Sequence, residues 1–435
     1  MTSFWCEYAW LPDGPRPGVL VDATDAIARV STVDDPPAGA YRLDGLVLPG
    51  FANAHSHAFH RALRGRTHAD GGTFWTWRSA MYRLAARFDP DRYLRLARAV
   101  YAEMAVAGVT CVGEFHYVHH PAGGGRYDDP NAMGEALRQA AADAGIRITL
   151  LDTCYLAGGI DTPLAPEQAR FSDGSADAWA KRISAQRPAP HARAGAAIHS
   201  VRAVPRADLA AVVGAAAGRP LHVHLSEQPA ENEACLAAYG ATPADLLYEA
   251  GALGPDTTAV HATHLSTRDI ELLGGSRTGV CFCPTTEADL ADGIGPAREL
   301  HAAGSPLSLG SDQHAVVDPL LEARALEHAE RLRSGARGRF TPAELVAALT
   351  SAGQAALGWP MAGRIAPGAP ADLVAVRLDS ARTAGCVPSQ AGYAATAQDV
   401  HTVVAAGRVI ARDGCHEKLG DVGALLGPAI EELWA

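Results

Sequence analysis

Two histidines one residue apart, His55 and His57, close a short apolar run that has the composition of a β-strand. Side chains at alternate positions of a strand project to the same side, so both imidazoles can face one ion. Imidazole is a common metal ligand, and it also transfers protons near neutral pH. This spacing predicts two ligands of a metal site, although a single His-x-His pair is a weak signal.

Other residues with metal-binding or proton-transferring side chains follow later strand-like runs. They are His199, Arg202, His222, His224, Glu227, His261, His264 and Asp312. A third imidazole and a carboxylate would complete a nitrogen and oxygen ligand set suited to Zn²⁺. His222 and His224 share one side of their strand, and His224 lies nearer its carboxyl end. We therefore predict a metal site of His55, His57, His224 and Asp312.

Eight strand-like runs rich in Val, Ile and Leu alternate with stretches of helical period. The runs are Leu46–Asn53, Val109–His116, Ile146–Tyr155, Gly195–Val201, Leu221–Ser226, Thr258–His264, Gly279–Pro284 and Pro306–Gly310. This alternation is typical of an α/β fold, and eight such units predict a (β/α)₈ TIM barrel. Because the active sites of these barrels lie at the carboxyl ends of the strands, the residues named above should meet at one face.

The two chain ends have a different character from the middle. Residues 1–45 are rich in Pro, Gly and Asp, and residues 363–435 return to strand-like runs such as Asp372–Arg377 and Val400–Ile410. We predict that both ends form one small, split β-sandwich domain. Residues 46–362 would then form the metal-dependent catalytic barrel, with Pro342–Leu357 as its last helix.

Composition excludes several partners for this chain of 435 residues. Its formal net charge of −11 provides no basic surface for nucleic acid or for an anionic membrane. No apolar run approaches the roughly 20 residues of a membrane helix. The first residues lack the basic patch and apolar core of a secretory signal, and the eight cysteines contain no CxxC pair. These features predict a cytoplasmic protein with free thiols.

The motifs around the candidate ligands resemble the amidohydrolase superfamily of metal-dependent deaminases. They are Leu48–His57, His224–Glu227, His261–His264, Gly310–Asp312 and Gly363–Val374. Four further segments are similar to the formimidoylglutamate deiminases within that superfamily. These are Phe74–Arg78, Glu114–His120, His199–Val204 and Ser226–Glu231. The resemblance extends over nearly the whole chain.

This resemblance implies one Zn²⁺ per chain, bound by His55, His57, His224 and Asp312, with Fe²⁺ or Mn²⁺ as other ions for the same ligands. It implies that Asp312, Glu227 and His261 transfer protons. The implied substrate contacts are Arg78, Tyr117, His199, Arg202 and His60, the last standing where the family pattern has Gln. His314 receives no role.

The implied reaction is hydrolysis of the small molecule N-formimino-L-glutamate to N-formyl-L-glutamate and ammonia, in histidine degradation, by a homodimer. Such a substrate carries two carboxylates, and the planar fork of arginine pairs a carboxylate through two hydrogen bonds. Arg78, which we place in an aromatic loop, and Arg202 suit that need. Purely structural roles are the alternatives: salt bridges for the two arginines, and a contact at the start of the following helix for Glu227.

Two other classes of function stay open. A related deaminase could act on a heterocycle such as guanine, cytosine or a triazine, which calls for aromatic or amide contacts to a planar ring. A hydrolase of a cyclic amide, similar to imidazolonepropionase, differs in releasing no ammonia. A metal-free barrel that serves only as a binding scaffold is the second class, and the intact ligand set opposes it.

Overall fold

The computed structural model of the protein describes residues 1–68 and 72–435. Its strands, numbered along the chain, form two sheets of eight strands each. The first sheet comes from both chain ends and contains β1 (Thr2–Leu11), β2 (Gly14–Ala23), β3 (Ile27–Thr32), β4 (Tyr41–Pro49), β13 (Leu373–Val376), β14 (Val400–Ala405), β15 (Arg408–Arg412) and β16 (Cys415–His416). Side chains from both ends, including Phe4, Val19, Leu373 and Val404, share one buried core. The two ends therefore fold as one unit, as the sequence predicts.

The second sheet is a barrel of parallel strands. It contains β5 (Phe51–Ser56), β6 (Val109–His116), β7 (Arg147–Cys154), β8 (Ala192–Ile198), β9 (Leu221–Leu225), β10 (Thr257–His261), β11 (Gly279–Phe282) and β12 (Leu307–Leu309). Each strand pairs with the next one in the chain. The first and last strands meet through a parallel bridge between Ser56 and Asp312. The predicted TIM barrel is confirmed.

Helices follow most barrel strands and bury their apolar faces in one continuous core. In the part of the chain that the structure describes they are α1 (Phe74–Ala85), α2 (Pro90–Val106), α3 (Ala132–Ala144), α4 (Ala176–Ser184), α5 (Arg206–Ala216), α6 (Pro229–Tyr239), α7 (Pro243–Glu249), α8 (Thr267–Gly275), α9 (Pro284–Asp289), α10 (Ala297–Ala303), α11 (Pro319–Ser334), α12 (Pro342–Leu349), α13 (Ser351–Ala356) and α14 (Val422–Trp434). Many begin with a side-chain cap followed by proline, as at Asp89 and Thr341. None of the described helices has both the length and the apolarity that a membrane span requires.

The predicted first barrel strand, Leu46–Asn53, is two strands in different sheets. Its first half belongs to β4 of the terminal sheet, and the chain enters the barrel only at Phe51. Gly50 lies at this crossing, and a Cβ there would come within 2.3 Å of Thr110 and 2.6 Å of Asp372. Only glycine fits, and its N–H donates to the carbonyl oxygen of Asp372 at 3.0 Å. The exact domain boundaries, after residues 45 and 362, stay a prediction.

Three other local predictions were wrong. Arg78 lies on the helix α1 and not in a loop, because Thr73 and Thr76 form a capping box that starts a helix there. Pro342–Leu357 is two helices that break at Thr350, whose ψ of −95° is not helical. Val400–Ile410 is a hairpin of two strands, β14 and β15, that pair in antiparallel fashion.

Candidate metal centre and active site

Four buried side chains converge at the carboxyl end of the barrel: His55, His57, His224 and Asp312. Their ligand atoms all lie within 4.8 Å of one another. The Nε2 atoms of His55 and His57 each lie 3.3 Å from Oδ1 of Asp312, and Nε2 of His224 lies 3.1 Å from Nε2 of His55. His222 is not part of this group, since its Nε2 lies 3.0 Å from the carbonyl oxygen of Ala356.

The hydrogen bonds behind these side chains orient the imidazole lone pairs toward the centre of the group. Nδ1 of His57 lies 2.9 Å from the carbonyl oxygen of Phe115, and Nδ1 of His224 lies 2.8 Å from that of His199. A carbonyl oxygen only accepts, so each Nδ1 carries the proton and each Nε2 is left as an acceptor. Acceptors that face one another around Asp312 repel unless a cation lies between them. The donor set therefore fits a divalent metal ion.

Burial and the charges of the neighbouring groups keep these side chains in the form that binds metal. Burial lowers the pKa of His55 to about 3 and holds the pKa of His224 well below its ordinary value. Burial alone would raise the pKa of Asp312, but the imidazoles of His55 and His57 beside its carboxylate keep it well below its ordinary value. Neutral imidazoles and an ionised carboxylate are the ligand forms that a metal ion requires.

The backbone is strained where the barrel strands end at this centre. Ser226, His261, Ala262 and Asp312 have positive φ values of 50°, 68°, 50° and 41°. For residues other than glycine, such a conformation costs on the order of 1–3 kcal/mol and recurs at functional sites. Two of these residues are close to each other, with Nε2 of His261 3.9 Å from Oδ2 of Asp312.

His261 lies among three carboxylates beside the ligand group. Its Nε2 is 3.9 Å from Oε1 of Glu227 and 3.9 Å from Oδ2 of Asp312, and its Nδ1 is 3.4 Å from Oε1 of Glu287. Burial alone would lower the pKa of His261, but these carboxylates raise it well above its ordinary value. His261 is therefore placed as a protonated hydrogen-bond donor next to the carboxylate of Glu227.

Arg202 lies between the carboxylates of Glu227, which follows β9, and Glu231, which lies on α6. Its Nη2 is 3.3 Å from Oε2 of Glu227, and its Nε is 3.6 Å from Oε2 of Glu231. Burial raises the pKa of Glu231 to about 6, against the opposing charge of Arg202. Arg202 therefore forms a salt bridge, which was the alternative structural role considered for it from the sequence. Its partner Glu227 is the glutamate that we predict to transfer protons.

The opposite wall of the cavity carries the remaining predicted residues. Nε2 of His60 lies 3.0 Å from the hydroxyl of Tyr117, and the ring of His199 packs edge-on against Tyr155 with centroids 4.5 Å apart. Arg78 reaches the same cavity from α1. The space in the cavity, including the part open to solvent, measures about 620 Å³. All the predicted site residues except His55, which lies buried beneath it, line this one cavity.

Sequence reasoning missed two carboxylates that support the ligand group from behind. Glu114 on β6 accepts the Ser56 hydroxyl and the Ala58 N–H, each at 2.7 Å, on either side of His57. Glu287 on α9 accepts the Cys283 N–H at 2.8 Å and faces His261. Glu114 lies in a strand and Glu287 lies shortly after one, and this position is the only sequence feature that could have marked them as candidates. Their partners are distant in the sequence, so the contacts could not be predicted from it.

Comparisons with known proteins agree with this geometry. The model of the amidohydrolase family matches residues 46–410. Formimidoylglutamate deiminase of Pseudomonas aeruginosa is 36% identical, over 96% of each chain. An 8-oxoguanine deaminase of the same organism is 30% identical, over 88% of this chain and 85% of its own.

Solved structures share the whole architecture. An amidohydrolase from Brucella melitensis superposes with a TM-score of 0.93 at 29% identity and full coverage of both chains. An adenosine deaminase from Xanthomonas campestris, crystallised with zinc, superposes with a TM-score of 0.85 at 24% identity, over 99% of this chain and 97% of its own. The second likeness bears on the fold alone.

Proposed function

This chain belongs to the amidohydrolase family, and from that premise we propose that it is a zinc-dependent deiminase that hydrolyses N-formimino-L-glutamate to N-formyl-L-glutamate and ammonia. The observation that carries the proposal is the combination, in one cavity, of the His55, His57, His224 and Asp312 group with two arginines. The relative that is 36% identical over 96% of both chains is named for this activity.

The charges of the substrate match charged side chains that line the cavity. N-formimino-L-glutamate has two carboxylates at one end and an amidine, protonated at neutral pH, at the other. Arg78 and Arg202 provide two guanidinium groups for the carboxylates. Glu227 lies beside the ligand group, where a cationic amidine nitrogen would meet its carboxylate.

His55, His57, His224 and Asp312 would hold the metal ion. When bound, such an ion supplies Lewis acidity and lowers the pKa of water to about 7, so that hydroxide is available near neutral pH. Zn²⁺ is the ion we propose, because three imidazole nitrogens and one carboxylate form a set that it favours. Fe²⁺ and Mn²⁺ are the competing ions for the same ligands.

The chain's own residues would move the protons. Asp312 takes a proton from the attacking water as the C–O bond forms at the formimino carbon. His261, held protonated by its carboxylate neighbours, donates a hydrogen bond to the oxygen that develops negative charge. Glu227 holds the terminal nitrogen and directs the proton from Asp312 to it. This C–N bond then breaks, ammonia leaves, and the former water oxygen releases its remaining proton as the formyl carbonyl forms.

A heterocyclic substrate is the second candidate, and a specific observation favours it. Tyr82, Tyr117, Tyr155 and Trp77 line the cavity, and aromatic walls of this kind suit a planar ring. The relative that is 30% identical is named as an 8-oxoguanine deaminase. The guanidinium of Arg78 favours the dicarboxylate, because it has no ion pair with any residue that the structure describes and a neutral base would supply no carboxylate for it.

Ammonia release by the zinc-loaded protein tests the proposal. We expect turnover of N-formimino-L-glutamate at a kcat/KM at least an order of magnitude above that for guanine, 8-oxoguanine, cytosine and adenosine. Absence of ammonia release from the amidine by protein with stoichiometric zinc would overturn it. Release from one of the bases instead would establish the second candidate.

A further inference from the structure

Two tyrosine hydroxyls in the cavity have no part in the reaction as described. Tyr82 lies on α1 and Tyr155 follows β7, and both line the cavity beside Arg78. Gln168, from the 3₁₀ helix Pro166–Phe171, connects them. Its Nε2 donates to the Tyr82 hydroxyl oxygen at 3.0 Å and to the Tyr155 hydroxyl oxygen at 2.8 Å.

The direction of these hydrogen bonds is fixed by their donors. The Oε1 atom of Gln168 accepts the N–H of Ala165 at 2.8 Å, so the amide nitrogen must face the tyrosines and commits one hydrogen to each. Nε of Arg78 donates to the Tyr82 oxygen as well, at 2.6 Å. Neither a carboxamide NH₂ nor a guanidinium can accept a hydrogen bond. The phenolic protons of Tyr82 and Tyr155 therefore need an acceptor elsewhere.

The described residues leave at least one of these protons free. If one hydroxyl donates to the other, the second still has a proton and an oxygen that already accepts. Across residues 1–68 and 72–435, neither hydroxyl donates to a carboxylate or a backbone carbonyl oxygen. The remaining space next to both hydroxyls is the cavity.

The guanidinium of Arg78 lies beside these hydroxyls, and it also lacks a counter-ion among the residues that the structure describes. Arg202 has Glu227 and Glu231, but Arg78 forms no ion pair with any residue that the structure describes. The guanidinium of Arg78 instead lies over the rings of Trp75 and Tyr82, at 5.6 and 5.2 Å from their centroids. A cation next to a hydroxyl donor and lacking an acid is the arrangement that binds an anion.

We propose that Tyr82 and Tyr155, oriented by Gln168, form with Arg78 a carboxylate subsite that selects the dicarboxylate substrate. The tyrosines contact the carboxylate directly, and Gln168 is a positioning residue. This proposal rests on the proposed function for the identity of the substrate, although the subsite itself needs only a carboxylate ligand. Arg202 would serve the other carboxylate.

A variant without either hydroxyl, Tyr82→Phe/Tyr155→Phe, tests the subsite in the zinc-loaded protein. Three amidines are compared: N-formimino-L-glutamate, N-formimino-4-aminobutyrate, which lacks the α-carboxylate, and N-formimino-L-2-aminobutyrate, which lacks the side-chain carboxylate. We expect kcat/KM for the dicarboxylate to fall by about 10- to 100-fold, mainly through KM, which is the loss of hydrogen bonds to a charged group. The analogue that lacks the bound carboxylate should lose far less, which also identifies the carboxylate.

Gln168→Glu tests the positioning role, because a carboxylate would accept the tyrosine protons and turn them away from the cavity. It should reproduce the loss of selectivity of the double variant. Tyr393→Phe is the control, since it deletes a hydroxyl outside the cavity that donates to the carbonyl oxygen of Phe340 at 3.1 Å. Equal losses for all three amidines in the double variant, or no loss, would overturn the subsite.

Binding of glutarate, measured by titration calorimetry, separates this proposal from the proposed function. Glutarate should bind the wild type about 10-fold or more tightly than it binds the double variant. If the wild type deaminates none of the amidines, the proposed function fails while the glutarate result still decides the subsite. Equal glutarate affinity in both proteins, or no binding to the wild type, refutes the subsite even when deamination is observed.

Discussion

Nδ1 of His261 lies 3.4 Å from Oε1 of Glu287, a residue of the short helix α9 that follows the seventh barrel strand. The same Oε1 atom accepts the backbone N–H of Cys283, so the carboxylate is fixed in place before it meets the imidazole. A carboxylate on one side of a histidine determines which nitrogen holds the proton and how the ring is oriented. Glu287 therefore positions His261 without reaching the cavity's reacting centre.

Glu287→Gln should lower kcat by about 10- to 100-fold while KM and zinc content stay unchanged. The carboxylate helps to raise the pKa of His261, so its removal lowers that pKa. Because the reaction requires protonated His261, the alkaline limb of the pH–kcat profile should then shift to lower pH. A lower kcat with an unmoved profile would mean that Glu287 only supports the fold.

Removal of the metal should abolish activity and lower the melting temperature. Four buried groups with acceptors aimed at one another lose the cation between them, and re-addition of Zn²⁺ at 100 times its Kd should stabilise the fold by about 2.7 kcal/mol. Metal analysis and calorimetry measure both effects. His224→Ala should lose zinc, whereas His222→Ala should keep it, because His222 lies outside the ligand group.

Arg202→Met should reduce kcat/KM by at least 10-fold and leave the zinc content unchanged, since the guanidinium contacts Glu227 and not a ligand of the ion. Arg206→Met is the control, because Arg206 pairs with Glu249 at the surface, 2.7 Å apart. Loss of zinc from Arg202→Met, seen by metal analysis, would assign this arginine to the metal centre and not to the substrate.

Asp372→Ala should destabilise the protein by about 3–5 kcal/mol, the usual effect of removing one partner of a buried ion pair. Oδ2 of Asp372 lies 2.5 Å from Arg147, and its Oδ1 accepts the N–H of Ala406 at 2.9 Å, so this one carboxylate joins the barrel to the terminal sheet. Urea denaturation measures the change. Glu249→Ala removes an exposed pair with Arg206 and should leave the midpoint unchanged.

Glu322 makes the stability of the fold depend on pH. Burial raises its pKa from 4.5 to about 8, while Thr285 donates to its carboxylate from the start of α9. Between about pH 4.5 and 8 the folded state keeps a proton that the unfolded state has released, so stability falls as the pH rises.

Glu322→Gln removes this titration, and its melting temperature relative to the wild type should rise across that pH interval. Glu233→Gln, which changes an exposed glutamate, should show a flat difference. A constant difference for Glu322→Gln as well would show that this carboxyl does not titrate in the interval.

Local sequence patterns predict the barrel well because each of its strands is a short, mostly apolar run. Val109–His116 is observed with the predicted bounds, and every one of its residues is buried. Leu46–Asn53 has the same character, but the crossing at Gly50 depends on the side chains of Thr110 and Asp372, which are remote in the sequence. The helix that carries Arg78 begins with a threonine capping box. That box indicates a helix, but we interpreted the aromatic residues of the segment as a loop.

The candidate site shows the same division between local and distant information. His55, His57, His224 and Asp312 could be proposed because strand parity and strand ends are local properties, and the structure brings them together. Glu287 could not be proposed, because it meets His261 only through the packing of α9 against the barrel. Ion pairs across elements, such as Arg202 with Glu231, are likewise set by the fold.

The bridge between Ser56 and Asp312 joins the first and last strands of the barrel, and it joins the first and last members of the ligand group at the same place. During synthesis, His55 and His57 leave the ribosome long before Asp312 is made. A nascent chain therefore presents at most three of the four ligands, and it cannot close the barrel. The segment that contains Asp312 thus completes both the ligand group and the barrel, so a chain truncated before Asp312 has neither.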